Sequence, residues 1–218
     1  VRGADELSLR VGVKTGEITA LASSAHARID GLPAHAVVGP DAMLHEEVAG
    51  VLLRVAAPSF FQSGPAAAEL LVRTVREACG EASTAAPALD AYGGVGLFSA
   101  CLPLHDPVLV ESSVSACADA EHNLPRALVR QMPFERWTPT PVALAVVDPA
   151  RAGLGAEGAA VLAATGTPRV VLVSCDPVSL ARDSNLMAAH GYEHRGSTVL
   201  DLFPNTHHVE VVTVFDRR

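Results

Sequence analysis

Two kinds of hydrophobic patterning divide the chain at about residue 58. Before it, short segments alternate apolar and polar positions with period two and are broken by turns. Leu7-Ser8-Leu9-Arg10-Val11-Gly12-Val13 reads as a half-buried strand. Thr15-Gly16 predicts a hairpin turn into a second strand, Glu17-Ile18-Thr19-Ala20-Leu21. Val48–Val55 predicts a third, which Pro58 ends. After it, apolar runs alternate with helical stretches. Pro65–Cys79 predicts a helix, with Pro in its first turn and Gly80 as its stop.

Strands are then predicted at Ala88–Tyr92, Val108–Glu111, Ala127–Arg130, Val142–Asp148, Arg169–Ser174, Val199–Leu202 and His208–Phe215. Helices are predicted between several of them, at Val114–Asn123, Glu157–Ala164 and Pro177–His190. Such alternation implies an α/β fold with a mostly parallel sheet and helices on both faces. The polar loop Pro204-Asn205-Thr206-His207 is too short for a crossover and predicts a terminal antiparallel hairpin. The expected organisation is a β-rich segment over 1–58, then one α/β domain over 59–218.

With 49% hydrophobic and 18% charged residues in 218, the chain has material for a full core and little tendency to disorder. No apolar run reaches the roughly 18 residues of a membrane span, and Val1–Arg10 carries no signal-peptide pattern. A start at Val1 leads us to expect a fragment of a longer protein. The cysteines, Cys79, Cys101, Cys117 and Cys175, form no CxxC pair, so neither zinc nor an iron–sulfur cluster is expected. Scattered thiols fit a reducing cytoplasm. The formal charge of −8 disfavours broad electrostatic binding of nucleic acid but leaves room for a local basic cleft.

Four constellations carry chemistry. In Leu89-Asp90-Ala91-Tyr92-Gly93-Gly94-Val95-Gly96-Leu97-Phe98 a strand enters a glycine-rich turn and then a helix, which admits a ligand close to the backbone. GxGxxG is absent, and Glu111 closes the next strand where it can accept hydrogen bonds from a ribose diol. Asp90, glycine turn and Glu111 in that order form the pattern of an S-adenosylmethionine site. In Val146-Val147-Asp148-Pro149-Ala150-Arg151, an Asp-Pro pair stiffens a loop at a strand end, with Asp148 placed to orient a base or the cofactor. Arg151 there is suited to a phosphate or a carboxylate.

The third constellation is Cys175, at the exit of Val171-Leu172-Val173-Ser174, together with Glu210, 35 residues further on. A thiol between a strand and a helix N-terminus is expected to have a lowered pKa and to act as a thiolate nucleophile, with Glu210 as base. The other three cysteines read as buried hydrophobes. In Ser59-Phe60-Phe61-Gln62-Ser63-Gly64-Pro65 the aromatics read as core, and Gln62 offers an amide to a cofactor. His207 and His208 point to opposite faces of a strand, so no metal is expected, and His208 is placed to help position Glu210.

Taken in order, these residues resemble the RNA uracil-5-methyltransferase family, which makes 5-methyluridine in tRNA or 23S rRNA. The resemblance runs from about Ser59 to the C-terminus. Its most specific blocks are Ser174-Cys175-Asp176-Pro177 with Leu180-Ala181-Arg182-Asp183, and Asp201-Leu202-Phe203-Pro204 through Glu210. It implies a Rossmann-like class I methyltransferase fold and S-adenosyl-L-methionine as cofactor, contacted by Gln62, Tyr92, Gly94, Glu111, Gln131 and Asp148. Cys175 would be the nucleophile, Glu210 the base, rRNA or tRNA the partner, and residues 1–58 part of a central RNA-binding region. Neither a membrane nor a metal partner is implied, and a monomer is expected. An RNA cytosine-5-methyltransferase typically has a second cysteine after the Asp-Pro pair, where this chain has Ala150-Arg151. A catalytically impaired RNA-binding protein that kept the fold is the other alternative.

Overall fold

The structure, a computed structural model, describes residues 1–84, 87–206 and 208–218. His207 of the polar loop lies outside them. Strand β1 (Leu7–Val11) pairs antiparallel with β2 (Ile18–Ala22), which carries the two-residue β3 (Val37–Val38) on its other edge. A separate hairpin joins β4 (Met43–Val48) to β5 (Val51–Ala56). The single strand expected over Val48–Val55 is therefore two half-strands. Ala49 and Gly50 both have positive φ, 51° and 81°, and fold the chain back in a two-residue turn whose twist matches that of the strands.

Helix α1 (Pro65–Cys79) buries Ala68, Leu71, Val72, Val75 and Cys79, a stripe at helical spacing. After it come β6 (Ala88–Ala91), the short α2 (Leu97–Cys101), β7 (Val108–Glu111), α3 (Val114–Asn123) and β8 (Leu128–Gln131). The chain continues with β9 (Leu144–Val147), α4 (Gly155–Ala164), β10 (Arg169–Ser174), α5 (Pro177–Ala189), β11 (Tyr192–Leu200) and β12 (Glu210–Arg217). The last hairpin starts earlier than the expected Val199. The residues between Tyr192 and Leu200 lie mostly exposed on an edge strand and carry no apolar run to mark them.

Seven strands form one sheet in the order β11-β12-β10-β9-β6-β7-β8. From β10 to β8 every neighbouring pair is parallel, while β12 runs antiparallel to both β10 and β11. Period two within the central strands sorts the core into two layers. Leu144, Val146, Val171 and Val173 face α1 and α2, whereas Ala145, Val147, Val170 and Leu172 face α4 and α5. Strand order reverses at β6, with β7 on one side and β9 on the other, so a crevice opens at the carboxyl ends of these strands.

The β4–β5 hairpin is fastened to this α/β unit. Its Val48 and Leu53 join the α1 layer, and Leu44 and Val55 pack on Val95 of the glycine turn. Asp119 of α3, fully buried, accepts from the Arg54 guanidinium (2.8 Å), the Ala56 N–H (2.8 Å) and the Ser59 hydroxyl (2.7 Å). Desolvation of a carboxylate is costly, and three donors to one group offset it. The clamp holds the start of the Ser59–Ser63 segment against α3. Among the described residues no helix is long and apolar enough to cross a membrane.

Candidate functional site

A cavity of about 680 Å³ opens at the carboxyl ends of the parallel strands. The segment after each central strand contributes a wall: Tyr92-Gly93-Gly94 after β6, Glu111-Ser112-Ser113 after β7, Asp148 to Arg151 after β9, and Cys175 after β10. Glu210 enters from the start of β12, and Phe60, Phe61 and Gln62 close one side. Gln62, Tyr92, Gly94, Glu111, Asp148, Cys175 and Glu210 thus share one cavity. Gln131 does not line it: its residue is exposed at the end of β8, opposite Glu111 in the ladder.

Register explains how Cys175 meets a residue 35 positions away. β10 and β12 pair antiparallel from Arg169↔Asp216 to Ser174↔Val211, and one further step puts Cys175 opposite Glu210. Glu210 is 5% exposed. Burial pushes its carboxyl up to about 7, the range that suits a general base near neutral pH. Cys175 is half-buried. Its thiol is raised, contrary to the lowering expected from the helix behind it: burial acts first, and the charges of Glu210 and Asp148 add to it. The α5 N-terminus is already engaged, because Asp176 is its cap and accepts the Ser179 N–H at 2.7 Å. A carboxylate thus sits where a thiolate would draw on the helix dipole.

The glycine turn is built for close approach. Tyr92 and Gly94 have φ of 59° and 54°, and a Cβ at Gly94 would point into open space. A Cβ at Gly93 would strike the Leu109 side chain. Glu111 ties the turn to the end of β7: Oε2 accepts the Gly94 N–H at 3.0 Å, and Oε1 accepts the Ser112 and Ser113 N–H groups at 2.7 Å each. Each oxygen has two lone pairs, so Oε2 keeps one for a ligand hydroxyl. The Tyr92 ring lines the cavity, packs on Phe134 and donates its hydroxyl to Glu135 at 2.6 Å. Burial and that bond hold the phenol above its ordinary pKa.

Beneath the turn, Asp90 is fully buried. One oxygen accepts from the Ser99 N–H (3.0 Å) and hydroxyl (2.6 Å), and the other has no partner. Burial raises Asp90 to about 7. Asp148 rises to about 8, through burial first and then the charges of Glu210 and Asp90. These carboxyls are not arranged as a metal site: among the described residues no group of three or more His, Cys, Asp or Glu side chains could hold a metal ion. The open glycine cradle, the acceptor at Glu111 and the orphaned carboxyl oxygen do fit a nucleoside-type cofactor bearing a cationic centre.

The three raised carboxyls at this site make stability depend on pH. Unfolded, these groups lose their protons near 4, whereas folded they keep them up to about 7 or 8. Between those limits the folded state binds more protons, so its stability falls as pH rises. The lowered carboxyls, Asp216, Asp176 and Glu17, act below this window. Urea denaturation of the ligand-free chain should give a lower midpoint at pH 8.5 than at pH 5.5. An equal or higher midpoint at pH 8.5 would refute the assignment.

Two groups named in the sequence have a setting that the sequence reading did not give them. Asp183 of α5, 1% exposed, accepts the Leu154 N–H (2.7 Å) and Gly155 N–H (3.1 Å) and pairs with Arg182, whose guanidinium also donates to the Ala152 carbonyl. It thereby pins the loop that carries Asp148 and Arg151. Phe60, expected in the core, is 73% exposed beside the cavity, while Phe61 alone packs inward.

The family model for tRNA (uracil-5-)-methyltransferases matches residues 140–218. An uncharacterized RNA methyltransferase of Streptomyces avermitilis is 38% identical over 187 residues, which cover 80% of this chain and 43% of that protein. One from Chlorobaculum tepidum is 31% identical over 196 residues, covering 83% and 40%. The chain thus spans about two fifths of the length of these curated relatives. Among solved structures, the Pyrococcus abyssi tRNA (uracil-54, C5)-methyltransferase in complex with S-adenosyl-L-homocysteine superposes with a TM-score of 0.77 at 24% identity, covering 95% of this chain and 58% of that one. TYW2 of M. jannaschii in complex with AdoMet gives 0.62 at 11% identity, covering 97% and 100%. The fold is that of S-adenosylmethionine-dependent methyltransferases. Residues 140–218, which include Cys175 and Glu210, thus match the tRNA (uracil-5-)-methyltransferase family, and the chain as a whole is similar to RNA methyltransferases.

Proposed function

We propose that the chain methylates carbon 5 of a uracil in RNA, forming 5-methyluridine, with S-adenosyl-L-methionine as cofactor and Cys175 as a covalent nucleophile. The observation that carries this reading is the register of β10 on β12, which sets a thiol and a carboxyl against each other on the wall of the cavity. Simple methyl transfer to an oxygen or nitrogen has no use for such a pair.

Bound, the cofactor supplies an electrophilic methyl group. Carbon 5 of uracil is too weak a nucleophile to take it unaided. Addition of the Cys175 sulfur to carbon 6 moves the ring's electron pair toward carbon 5, and the thiol proton passes to the carboxylates of the cavity floor. After methylation Glu210 removes the carbon-5 proton, the carbon 5–carbon 6 double bond re-forms, and the sulfur leaves with its electron pair. Gly94 would admit the cofactor and Glu111 would hold its ribose, with Asp148, Gln62 and Tyr92 lining its site; Gln131 lies outside the cavity. The target base must leave its stack to reach Cys175. Residues 59–218 form the catalytic domain in this reading, and residues 1–58 belong to an RNA-binding region.

Incubation with methyl-labelled cofactor and separate tRNA and rRNA fractions, followed by digestion to nucleosides, tests the reading. Label should appear in 5-methyluridine. Label in 5-methylcytidine would overturn the choice of base, and a protein that binds RNA but transfers no label would be the impaired relative.

A further inference from the structure

The cavity floor holds more carboxyl groups than proton removal from one carbon requires. Glu210 from β12 and Asp148 after β9 both line it, and Asp90 on β6 lies close enough for its charge to act on Asp148. Among the described residues, neither Glu210 nor Asp148 has a hydrogen-bond partner for its carboxyl, although Glu210 is 95% buried by its 5% exposure. One Asp90 oxygen is likewise buried and unpartnered. Burial raises all three above the ordinary carboxylate range, and the charges of Glu210 and Asp90 raise Asp148 further.

Other charged or titratable groups also face this floor. Arg151 is exposed at the rim, and its charge acts on Cys175 and Asp176. Cys175 adds a thiol from β10, and Glu111 a further carboxylate beyond the glycine turn. His208 lines the same cavity, with its ring edge-on to Phe203. A floor of this kind is a poor host for a neutral ligand's thioether and a good one for a fixed cation, because each charge acts strongly where water is scarce.

We propose that this floor reads the charge of the cofactor: Asp148 and Glu210 ionise when the sulfonium of S-adenosylmethionine enters and stay protonated beside the neutral thioether of S-adenosylhomocysteine, so the spent cofactor is bound less tightly than the fresh one. The inference rests on the reading that the cavity takes S-adenosylmethionine. It also gives Glu210 its working state. As carbon 5 gains the methyl group, the sulfur keeps the electron pair of the broken bond and loses its charge; carbon 5 then passes its proton to Glu210. A proton on the floor has replaced a positive charge on the ligand, and the cavity's net charge is unchanged across turnover.

Isothermal titration of the chain with each cofactor form, in phosphate and in Tris at the same pH, counts the protons released on binding. S-adenosylmethionine should release about one more proton than S-adenosylhomocysteine near pH 7. Its Kd should tighten at least about tenfold from pH 6 to pH 8, as one linked proton requires, while the Kd for S-adenosylhomocysteine changes less than about threefold. Asp148→Asn should remove most of that difference and still bind S-adenosylhomocysteine, which also reports that the variant is folded. Equal proton release by the two ligands would overturn the proposal and leave the cofactor reading standing, as would an undiminished difference in Asp148→Asn. If that variant does not fold, the wild-type comparison alone decides. No binding of either ligand would overturn both.

Discussion

Cys175→Ala is expected to lower methyl transfer by about four orders of magnitude or more, the scale seen when a covalent nucleophile is removed, while cofactor affinity stays within about twofold. The first half follows from chemistry. Without sulfur at carbon 6, carbon 5 has no electron pair to offer, and no other group on the cavity wall can replace it. Cys79, Cys101 and Cys117 are buried elsewhere, each with its thiol raised by burial. The second half follows from geometry. The glycine turn, Glu111 and Asp148 stand on β6, β7 and β9, and none of them hydrogen-bonds to Cys175. Removing one charge-repelled, half-buried sulfur leaves that side of the cavity intact. Single-turnover transfer from labelled cofactor, paired with calorimetry on the same variant, separates the two halves. Transfer within about tenfold of wild type would rule Cys175 out as nucleophile; loss of cofactor binding would assign it a structural role.

Most of the architecture was legible because the core strands are short apolar runs between helical stretches. The seven strands of the sheet, the parallel order and the terminal hairpin follow from that pattern. The misreadings occur where local pattern and spatial setting part. Val48–Val55 is apolar enough to read as one strand, and only the left-handed conformations of Ala49 and Gly50 divide it. The start of β11 was missed for the opposite reason, since the six residues from Glu193 to Thr198 face water or are half-covered and bear polar side chains or none.

The site was legible in its parts but not in its electrostatics. The glycine turn and the Asp148 loop announce themselves by composition. The pairing of Cys175 with Glu210 was read only on the condition that both face one cleft, because antiparallel register over 35 residues cannot be read from either segment alone. The thiol's direction of shift was misjudged for the same reason: the helix behind it is local and visible, whereas Glu210 and Asp148 approach from other strands. Asp119 left a fainter trace. It lies three positions from the buried Ala116 and beside the buried Ala120, so the apolar face of α3 already marks it as an acid facing inward. Such a residue must have donors waiting, and Arg54, Ala56 and Ser59 supply them.

Glu210→Gln should stop turnover at a different point from Cys175→Ala. A glutamine has the same shape but cannot accept a proton, so sulfur addition and methylation proceed and the last elimination does not. The methylated base then stays bonded to Cys175, and a denaturing gel should show a slower band containing both protein and RNA, in a large fraction of the enzyme. Turnover should fall by about 10²–10⁴, the range for loss of a general base. Folding should not suffer: the wild-type carboxyl is raised to about 7 and has no hydrogen-bond partner among the described residues, so the amide resembles the form already present in the ligand-free chain. The band should require cofactor, because before methylation carbon 5 can regain a proton and sulfur addition reverses. Cys175→Ala in the same chain should abolish it. A folded Glu210→Gln chain that methylates RNA without a slower band would remove Glu210 from proton abstraction. A band of equal intensity without cofactor would place its action before methyl transfer, where a carboxylate facing Cys175 would act on the thiol instead.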